Sequence, residues 1–380
     1  MSASAASDCP LLEARDLRVV RGGRVLAAAD DLRLMAGRVH VLLGANGAGK
    51  STLLRALNGL EAAEGDLRFD GRPVVTGADR LALRRRTAAV FQKAYLLDTT
   101  VQGNVESGLR LRGVGRAAAR RRAGEALELL DIAGLRGRRP AHLSGGEAQR
   151  VSIARALAVD PEVLFFDEPL SSLDPPTREA LVRDLSSIFD RSQMAVVWVT
   201  HDRDEALAVA DVVSFLEDGR VAQSGRATDV FSHPSTTSFA AFLGLDAYLE
   251  GTVVNGADGL TRLFTPGGLE LVCGDAADGP AVACLPPEDV VLFTRPPEAH
   301  SASLRNLLPG RVREVRPSGR LLLVSVAAGE IEVAALVTRA ALDDLGLAVG
   351  SVVIAAFKAS AVHPIPRYER HPRTPEVRAT

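Results

Sequence analysis

Lysine is scarce in this sequence, so the few lysines present are easy to place. Lys50, Lys93 and Lys358 are the only ones, and arginine supplies every other basic side chain. Basic and acidic residues nearly cancel, which leaves a formal net charge of −2 at pH 7. This balance gives no global electrostatic reason to bind DNA, RNA or an anionic membrane surface. We therefore expect no nucleic-acid partner.

Cysteine is equally rare, and long apolar runs are missing. Cys9, Cys273 and Cys284 lie far apart in no metal-ligand or Cys-x-x-Cys spacing, which argues against a disulfide framework and a zinc site. No stretch reaches the ~18 apolar residues needed to cross a bilayer, and the N-terminal segment does not read as a signal peptide. We predict a protein of a reducing cytoplasm, whose membrane role depends on a partner.

The predicted secondary structure changes character once along the chain. Up to about Val230, short apolar strands alternate with longer helical patterns, which predicts an α/β domain with a largely parallel sheet. After a boundary near 235–247, short β-rich runs separated by glycine and proline predict an all-β domain of one or two small barrels, which hide their strand edges. The predicted buried strands of the first domain are Val39–Leu43, Ala88–Phe91, Val163–Phe166 and Ala195–Val199. The predicted domains are 11–240, with a helical subdomain at about 93–160, and 245–365, with flexible tails at 1–10 and 367–380.

A phosphate-binding motif follows the first of these strands. The run matches Gly-x-x-x-x-Gly-Lys-Ser/Thr between an apolar strand and a helix, which is the context a P-loop requires. Its glycines let backbone N–H groups close around phosphates, Lys50 can reach the β- and γ-phosphates, and Ser51 can ligate Mg²⁺. The predicted ATP-binding residues are Gly44, Ala45, Asn46, Gly47, Ala48, Gly49, Lys50, Ser51 and Thr52.

Two carboxylates follow another buried strand. Asp167 and Glu168 come directly after Val163–Phe166, and ligands bind at the carboxyl ends of strands in open α/β sheets. We expect Asp167 to hold Mg²⁺, which leaves Glu168 to polarise the water that attacks the γ-phosphate as a general base. Alone, such a pair is more often a solvated helix cap, and its partnership with Lys50 and Ser51 reverses that interpretation.

A third motif reads Leu-Ser-Gly-Gly-Glu-Ala-Gln at positions 143–149. Gly145 and Gly146 leave the start of a predicted helix free of side chains, so that backbone N–H groups and the Ser144 hydroxyl can contact an anion. This run, with Glu147, resembles the signature of ATP-binding-cassette (ABC) ATPases. The resemblance covers most of residues 11–243 and implies a P-loop cassette fold and Mg²⁺-dependent ATP hydrolysis.

Three further positions match the same family. Gln92 corresponds to the glutamine that contacts Mg²⁺ or the attacking water and senses the transmembrane partner. Asp174 ends a Ser-Ser-Leu-Asp run that corresponds to the loop crossing the dimer interface, and His201 corresponds to the histidine that contacts the γ-phosphate. Many members also stack adenine on an aromatic residue, whereas Arg21 stands at that place here. Because a guanidinium plane can stack on a base, we expect weaker or differently selective adenine binding.

The family resemblance also implies partners and a location. The P-loop of one subunit faces the signature of the other, so a homodimer encloses two ATP molecules. Separate transmembrane permease subunits, and indirectly an extracytoplasmic solute-binding protein, complete such an importer, and its ATPase lies on the cytoplasmic face of the membrane.

The second domain resembles the accessory barrel of importer ATPases, and its last part resembles a molybdate-binding (molbindin-like) module. Hydroxyls and cations bind tetrahedral oxyanions, which makes Ser303, Arg305, Lys358 and Ser360 candidate oxyanion ligands. A structural and regulatory spacer is the alternative, because related barrels occur in importers of other solutes.

These observations favour an importer ATPase for molybdate or tungstate. Another cargo, such as sulfate, a sugar, a polyamine or iron, keeps the same ATPase. A soluble oxyanion sensor or storage protein with a regulatory ATPase is the alternative from another class, and dependence of activity on a permease separates it from the importers.

Overall fold

The computed structural model describes residues 9–244, 248–297 and 303–366. Apart from Cys9 and Pro10, the tails expected at 1–10 and 367–380 lie outside these ranges. None of the described helices is long and apolar enough to cross a membrane.

The chain divides into two compact units between Ser232 and His233. The division falls slightly before the predicted boundary at 235–247, and it assigns residues 233–240, predicted to end the first domain, to the second unit. The short helix Thr237–Phe242 accounts for the difference, because a helical segment after the boundary hides the change to β-rich sequence.

The first unit combines one mixed sheet with helices. Its described strands are β1 (Leu12–Arg21), β2 (Arg24–Leu34), β3 (Val39–Leu43), β4 (Glu64–Phe69), β5 (Arg72–Pro73), β6 (Thr87–Phe91), β7 (Val163–Asp167), β8 (Ala195–Thr200), β9 (Val212–Glu217) and β10 (Arg220–Arg226). Its described α-helices are α1 (Lys50–Leu57), α2 (Gly77–Arg86), α3 (Val101–Leu111), α4 (Arg116–Leu129), α5 (Gly145–Leu157), α6 (Pro175–Phe189), α7 (Arg203–Val209) and α8 (Ala227–Ser232).

The strand order of this sheet is β5-β4-β1-β2-β10-β9-β3-β8-β7-β6. The strands from β9 to β6 are parallel, as the sequence predicts. The region of β1, β2, β4 and β5 is antiparallel and was not anticipated. The antiparallel pairing of β1 and β2 has a local cause. The tight turn at Gly22 and Gly23, both with positive φ, folds β2 straight back onto β1.

The parallel strands form the core beneath the candidate site. β3, β7 and β8 are buried along their whole length, as expected for strands covered on both faces. The ring centroids of Phe166 and Trp198 are 4.8 Å apart, and Phe189 of α6 lies 6.0 Å from Phe166. This packing fixes the ends of β7 and β8, where the chemistry is predicted.

A helical segment separates β6 from β7, in the region where the sequence predicts a helical subdomain. It contains α3, α4 and α5, which contact one another through buried side chains such as Leu109, Leu127 and Val151. Thr100 begins α3 and Ser144 begins α5, and each side-chain oxygen accepts a hydrogen bond from a backbone N–H of the first turn.

The second unit contains two five-stranded sheets that share one hydrophobic core. The sheet order is β13-β12-β11-β14-β20 in one and β15-β19-β16-β17-β18 in the other. The bounds are β11 (Tyr248–Asn255), β12 (Thr261–Phe264), β13 (Glu270–Cys273), β14 (Gly279–Cys284), β15 (Val291–Phe293), β16 (Asn306–Ser318), β17 (Leu321–Ala328), β18 (Ile331–Val337), β19 (Val352–Phe357) and β20 (His363–Pro366), with the helices α9 (Thr237–Phe242) and α10 (Arg339–Asp344).

A buried histidine in the central strand makes the stability of the fold depend on pH. His40 of β3 is 4% exposed, its Nε2 lies 2.8 Å from Ser214 Oγ, and its Nδ1 is buried without a hydrogen-bond partner. Burial lowers the pKa of His40 from 6.5 to about 4, because the charged ring would lose its hydration.

We therefore expect acid to destabilise the protein through His40. Between pH 6.5 and about 4 the unfolded chain binds a proton that the folded chain does not, so the free energy of unfolding falls as pH falls through this window. The 2.5-unit difference corresponds to about 3 kcal/mol. Urea unfolding at pH 7, 5.5 and 4.5 should show this loss in the parent and a smaller one in His40→Asn. An equal loss in both proteins would contradict the assignment.

Candidate active site

Four parallel strands end at the same edge of the sheet. Leu43 of β3 pairs with Thr200 of β8, Val199 of β8 pairs with Asp167 of β7, and Asp167 pairs with Phe91 of β6. The residues that immediately follow these strands therefore emerge side by side. They are Gly44, His201, Glu168 and Gln92.

The P-loop lies tightly against neighbouring backbone. Gly44 has φ of 155°, and a Cβ at this position would lie 2.4 Å from the Leu216 carbonyl oxygen. Gly49 has φ of 95°, and a Cβ there would lie 2.5 Å from the Leu26 carbonyl oxygen. Both positions thus require glycine on two independent grounds, conformation and space. The shape of the loop is consequently imposed by β2 and β9.

Lys50 extends over this loop from the first turn of α1. Its Nζ donates hydrogen bonds to the Gly44 and Ala45 carbonyl oxygens, both at 2.9 Å, and lies 3.7 Å from Glu168 Oε1. Burial lowers the pKa of the ammonium, and the nearby Glu168 carboxylate opposes that shift. A buried cation at the start of a helix and beside a glycine-rich loop is well placed to receive a phosphate group.

Ser51, the residue after Lys50, contacts Asp167. Ser51 Oγ donates a 2.5 Å hydrogen bond to Asp167 Oδ1, and Arg55 Nη1 lies 3.9 Å from Asp167 Oδ2. Burial raises the pKa of Asp167, and the Ser51 hydrogen bond and Arg55 oppose that rise. Hydroxyl and carboxylate oxygens are the ligands that Mg²⁺ prefers, so this donor set suits the metal.

Glu168 has an unusual backbone conformation. Its φ is 47°, a left-handed value that costs a non-glycine residue about 1–3 kcal/mol and is concentrated at functional sites. Its N–H donates to the Val199 carbonyl oxygen at 3.0 Å, and its own carbonyl oxygen accepts from Ser171 Oγ at 3.0 Å. In this conformation its carboxylate lies between Lys50 and His201, whose Nδ1 is 3.3 Å from Glu168 Oε2.

Gln92 is exposed, next to a link between the sheet and the helical segment. Gln149 Nε2 of α5 donates to the carbonyl oxygen of Phe91 at 3.4 Å, and Arg155 Nη1 of α5 donates to that of Tyr95 at 2.8 Å. The segment around Gln92 is therefore tied to the helix that begins with the signature motif.

The signature residues form the start of α5 but do not reach the P-loop of the same chain. Ser144 Oγ accepts from Glu147 N at 3.2 Å, and Ser144 N donates to Glu147 Oε2 at 2.7 Å, an interaction that lowers the pKa of Glu147. A Cβ at Gly146 would lie 3.0 Å from Thr177 Cγ2, whereas Gly145 faces open space. Among the described residues, no hydrogen bond or ion pair joins 143–149 to 44–52.

Asp174 is likewise placed apart from the P-loop, at the start of α6. Its carboxylate accepts from Thr177 N at 3.2 Å, and hydrogen bonding with Thr177 lowers its pKa. Its capping role is thus visible within one chain, while its predicted contact with a second subunit stays a prediction.

Comparison with known proteins identifies the family. The ABC transporter model matches residues 29–171, and the TOBE domain model matches residues 302–364. The molybdate/tungstate import ATP-binding protein of Pyrococcus horikoshii is 35% identical over 334 residues, which cover 87% of this chain and 93% of that protein. The chain belongs to the ABC transporter family.

Other ABC relatives differ in the solute named. The sulfate/thiosulfate import ATP-binding protein of Caulobacter vibrioides is 38% identical over 268 residues, covering 69% of this chain and 76% of that protein. The Fe(3+) ions import ATP-binding protein of Streptomyces coelicolor is 38% identical over 284 residues, covering 74% and 79%. The structure of CbiO1 from Clostridium perfringens, part of the ABC transporter complex CbiONQ, has a TM-score of 0.56 and 27% identity, and covers 63% of this chain and 96% of that one. The predicted ATP-binding ABC ATPase with a C-terminal β domain is confirmed.

Arg21 of this ABC ATPase lies at the end of β1 and forms an ion pair. Its side chain is 72% exposed and donates to the Glu61 carboxylate, which also accepts from Arg55 Nε at 3.4 Å. Since hydrogen bonds of a guanidinium lie in its plane, its faces remain open for stacking on a base. The role of Arg21 in adenine binding stays a prediction.

Sequence reasoning did not identify Arg55 and Glu61 as site neighbours. A usable signal was present, because Ser51 and Arg55 are four residues apart on α1 and therefore share one helix face. Both side chains approach Asp167, and Arg55 connects it to Glu61.

The oxyanion candidates flank one end of a strand pair. Asn306 of β16 pairs with Phe357 of β19, so the residues just before β16 and just after β19 lie at the same end of this sheet. All four candidate side chains are exposed. They are Ser303, Arg305, Lys358 and Ser360.

Proposed function

We propose that this ABC ATPase is the energy-converting subunit of an importer for a tetrahedral oxyanion, molybdate or tungstate. It works on the cytoplasmic face of the membrane, as a homodimer beneath separate permease subunits that a solute-binding protein supplies. The observation that carries the ATPase part is the position of Glu168, held by a strained backbone between Lys50 and His201.

Within the site, each residue has a distinct task in hydrolysis. The oxygen of water attacks the γ-phosphorus, the bond from that phosphorus to the β–γ bridging oxygen breaks, and the proton of the water passes to the Glu168 carboxylate. Lys50 stabilises negative charge on the phosphates. His201 directs Nδ1 towards Glu168, which leaves Nε2 for the γ-phosphate.

Mg²⁺ fits the oxygens at the base of the site. Ser51 and Asp167 would hold it, with Gln92 at the same sheet edge as a further oxygen ligand. When bound, the metal neutralises charge on the β- and γ-phosphates.

The separation of the signature from the P-loop within a single chain supports a homodimer. The signature residues form a helix start at which Gly145 is open, yet no hydrogen bond or ion pair joins them to 44–52 among the described residues. A second copy would place this helix start against the γ-phosphate and so complete the site. Cleavage of ATP would then weaken the contact between the copies.

An apolar cleft beside the Gln92 segment suits the permease. A cavity of about 390 Å³ is lined by Leu97, Leu111 and Arg155. Leu97 and Leu111, which both line it, are 53% and 90% exposed, and exposed apolar side chains that line one cleft mark interaction surfaces. Since Arg155 and Gln149 tie this segment to α5, a permease loop seated here would act on both Gln92 and the signature.

Two observations support an oxyanion as the cargo. The relative from Pyrococcus horikoshii, whose name specifies molybdate and tungstate, matches across 87% of this chain. In addition, Arg305 and Lys358 share one end of the β16–β19 pair, where two cations and two hydroxyls could bind a dianion. Sulfate is the second candidate, because it is also a tetrahedral dianion and a relative at 38% identity is named for it.

A cavity in the second unit is poorly suited to such a ligand. It has a volume of about 720 Å³ and is lined by Glu250, Glu288, Glu330 and Glu332 against Arg316. This excess of carboxylates would repel a dianion. The end of the β16–β19 pair is therefore the better candidate for an oxyanion-sensing site.

Deletion of the gene in its own cells tests the cargo directly. We expect loss of labelled molybdate or tungstate uptake, with sulfate and iron uptake retained. The parent gene should restore uptake, and Glu168→Gln should fail to do so because import needs hydrolysis. Loss of sulfate or iron uptake alone would overturn the proposed cargo and leave the ATPase assignment intact.

A further inference from the structure

An arginine outside the nucleotide motifs connects two segments of the active site. Arg178 lies in the first part of α6, with its side chain 26% exposed. Its Nη2 donates to the Leu173 carbonyl oxygen at 3.1 Å, and its Nη1 donates to Asp202 Oδ2 at 3.0 Å. One planar side chain thus joins residue 173 to residue 202.

Each of these contacts lies next to a residue of the site. Leu173 belongs to the loop that starts after Glu168, and Ser171 of this loop donates to the Glu168 carbonyl oxygen. Asp202 directly follows His201, and its Oδ1 accepts from the N–H groups of Asp204 and Glu205 at the start of α7. Arg178 therefore fixes the distance between the loop of Glu168 and the turn of His201.

One hydrogen-bond donor of Arg178 has no partner in this arrangement. Its Nε is buried without a hydrogen-bond partner, although Glu205 Oε1 lies only 3.8 Å away. Glu205 is itself buried, and its pKa is raised by that burial. A buried donor left unpaired is costly, so a small movement that brings Nε to Glu205 would stabilise a second arrangement of the same groups.

We propose that Arg178 is a positioning residue for ATP hydrolysis, which holds His201 against Glu168 and transmits movements of the 171–174 loop to His201. The proposal rests on the roles assigned above to Glu168 and His201. It assigns Arg178 no contact with the nucleotide, so its loss should change turnover and not nucleotide affinity.

Substitution of Arg178 in the full chain tests this role. We expect Arg178→Ala to lower kcat for ATP by about 10-fold or more, because a displaced catalytic group is costly, with KM changed less than about 2-fold. Arg178→Lys should not restore kcat, since Nη1 and Nη2 of the planar guanidinium reach Asp202 and Leu173 from two separate nitrogens and an ammonium lacks this fork, whereas added guanidinium ion should restore part of it in Arg178→Ala. Arg183→Ala is the matched control, because Arg183 is exposed on the same helix, and its kcat should equal that of the parent.

Combination with His201→Ala separates positioning from a general structural effect. We expect Arg178→Ala to cause no further loss of kcat in that background. An additive loss, or a kcat of Arg178→Ala within 2-fold of the parent, would overturn the proposal. If His201→Ala alone left kcat unchanged, the assigned role of His201 would fail and the proposal with it. Should Arg178→Ala not fold, Asp202→Asn removes the same ion pair at constant volume and is expected to give the same kinetics.

Discussion

Glu168→Gln should reduce steady-state ATP hydrolysis by about 100-fold or more, because an amide cannot accept the proton of the attacking water. Binding of ATP should persist, since the P-loop and Lys50 are retained and Glu168, whose Oε1 lies 3.7 Å from Lys50 Nζ, is assigned to the attacking water. Release of phosphate and binding of a fluorescent ATP analogue measure the two properties separately.

Glu162→Gln provides the matched control for this substitution. Glu162 precedes β7 at the opposite end of the same strand and pairs with Arg86, so its replacement leaves the strand-end chemistry unchanged. Its hydrolysis rate should stay within about 2-fold of the parent. Hydrolysis retained by Glu168→Gln would show that another group accepts the proton.

Lys50→Met should weaken ATP binding by about 10- to 100-fold, because it removes charge-assisted hydrogen bonds to phosphate and keeps the apolar stem of the side chain. Titration calorimetry with ATP measures this loss. Unfolding followed by circular dichroism checks that the P-loop survives without the hydrogen bonds from Lys50 to Gly44 and Ala45.

The scarcity of lysine supplies the control for this second prediction. Lys358 is exposed in the second unit, so Lys358→Met removes the same charge from a different place and should leave ATP affinity unchanged. Equal affinities for ATP in the parent and Lys50→Met would contradict the assignment of the P-loop.

The sequence predicted the site well because the site depends on the succession of elements along the chain. A strand, a glycine-rich turn and a helix in succession define the P-loop, and parallel strands bring Asp167, His201 and Gln92 to one edge once the sheet is recognised. These predictions hold even when the predicted ends of a strand or helix are wrong by one or two residues.

Features that depend on distant contacts were not predictable in this way. No local pattern distinguishes the left-handed Glu168 from an ordinary residue, because its conformation is fixed by Val199 and Ser171. Arg178 reads as a solvated helix residue until the tertiary structure brings Asp202 to it. The second unit shows the same limit, since β15 and β20 are short strands whose pairing partners, β19 and β14, are remote in sequence.

The measurement that tests the central claim most directly is the mass of Glu168→Gln in solution with Mg²⁺ and ATP. Light scattering should show one chain of 40.1 kDa without nucleotide and two chains with it, because each γ-phosphate is expected to join the P-loop of one copy to the signature of the other. A protein that binds Mg²⁺ and ATP yet stays a single chain at saturation would contradict a site shared between two copies.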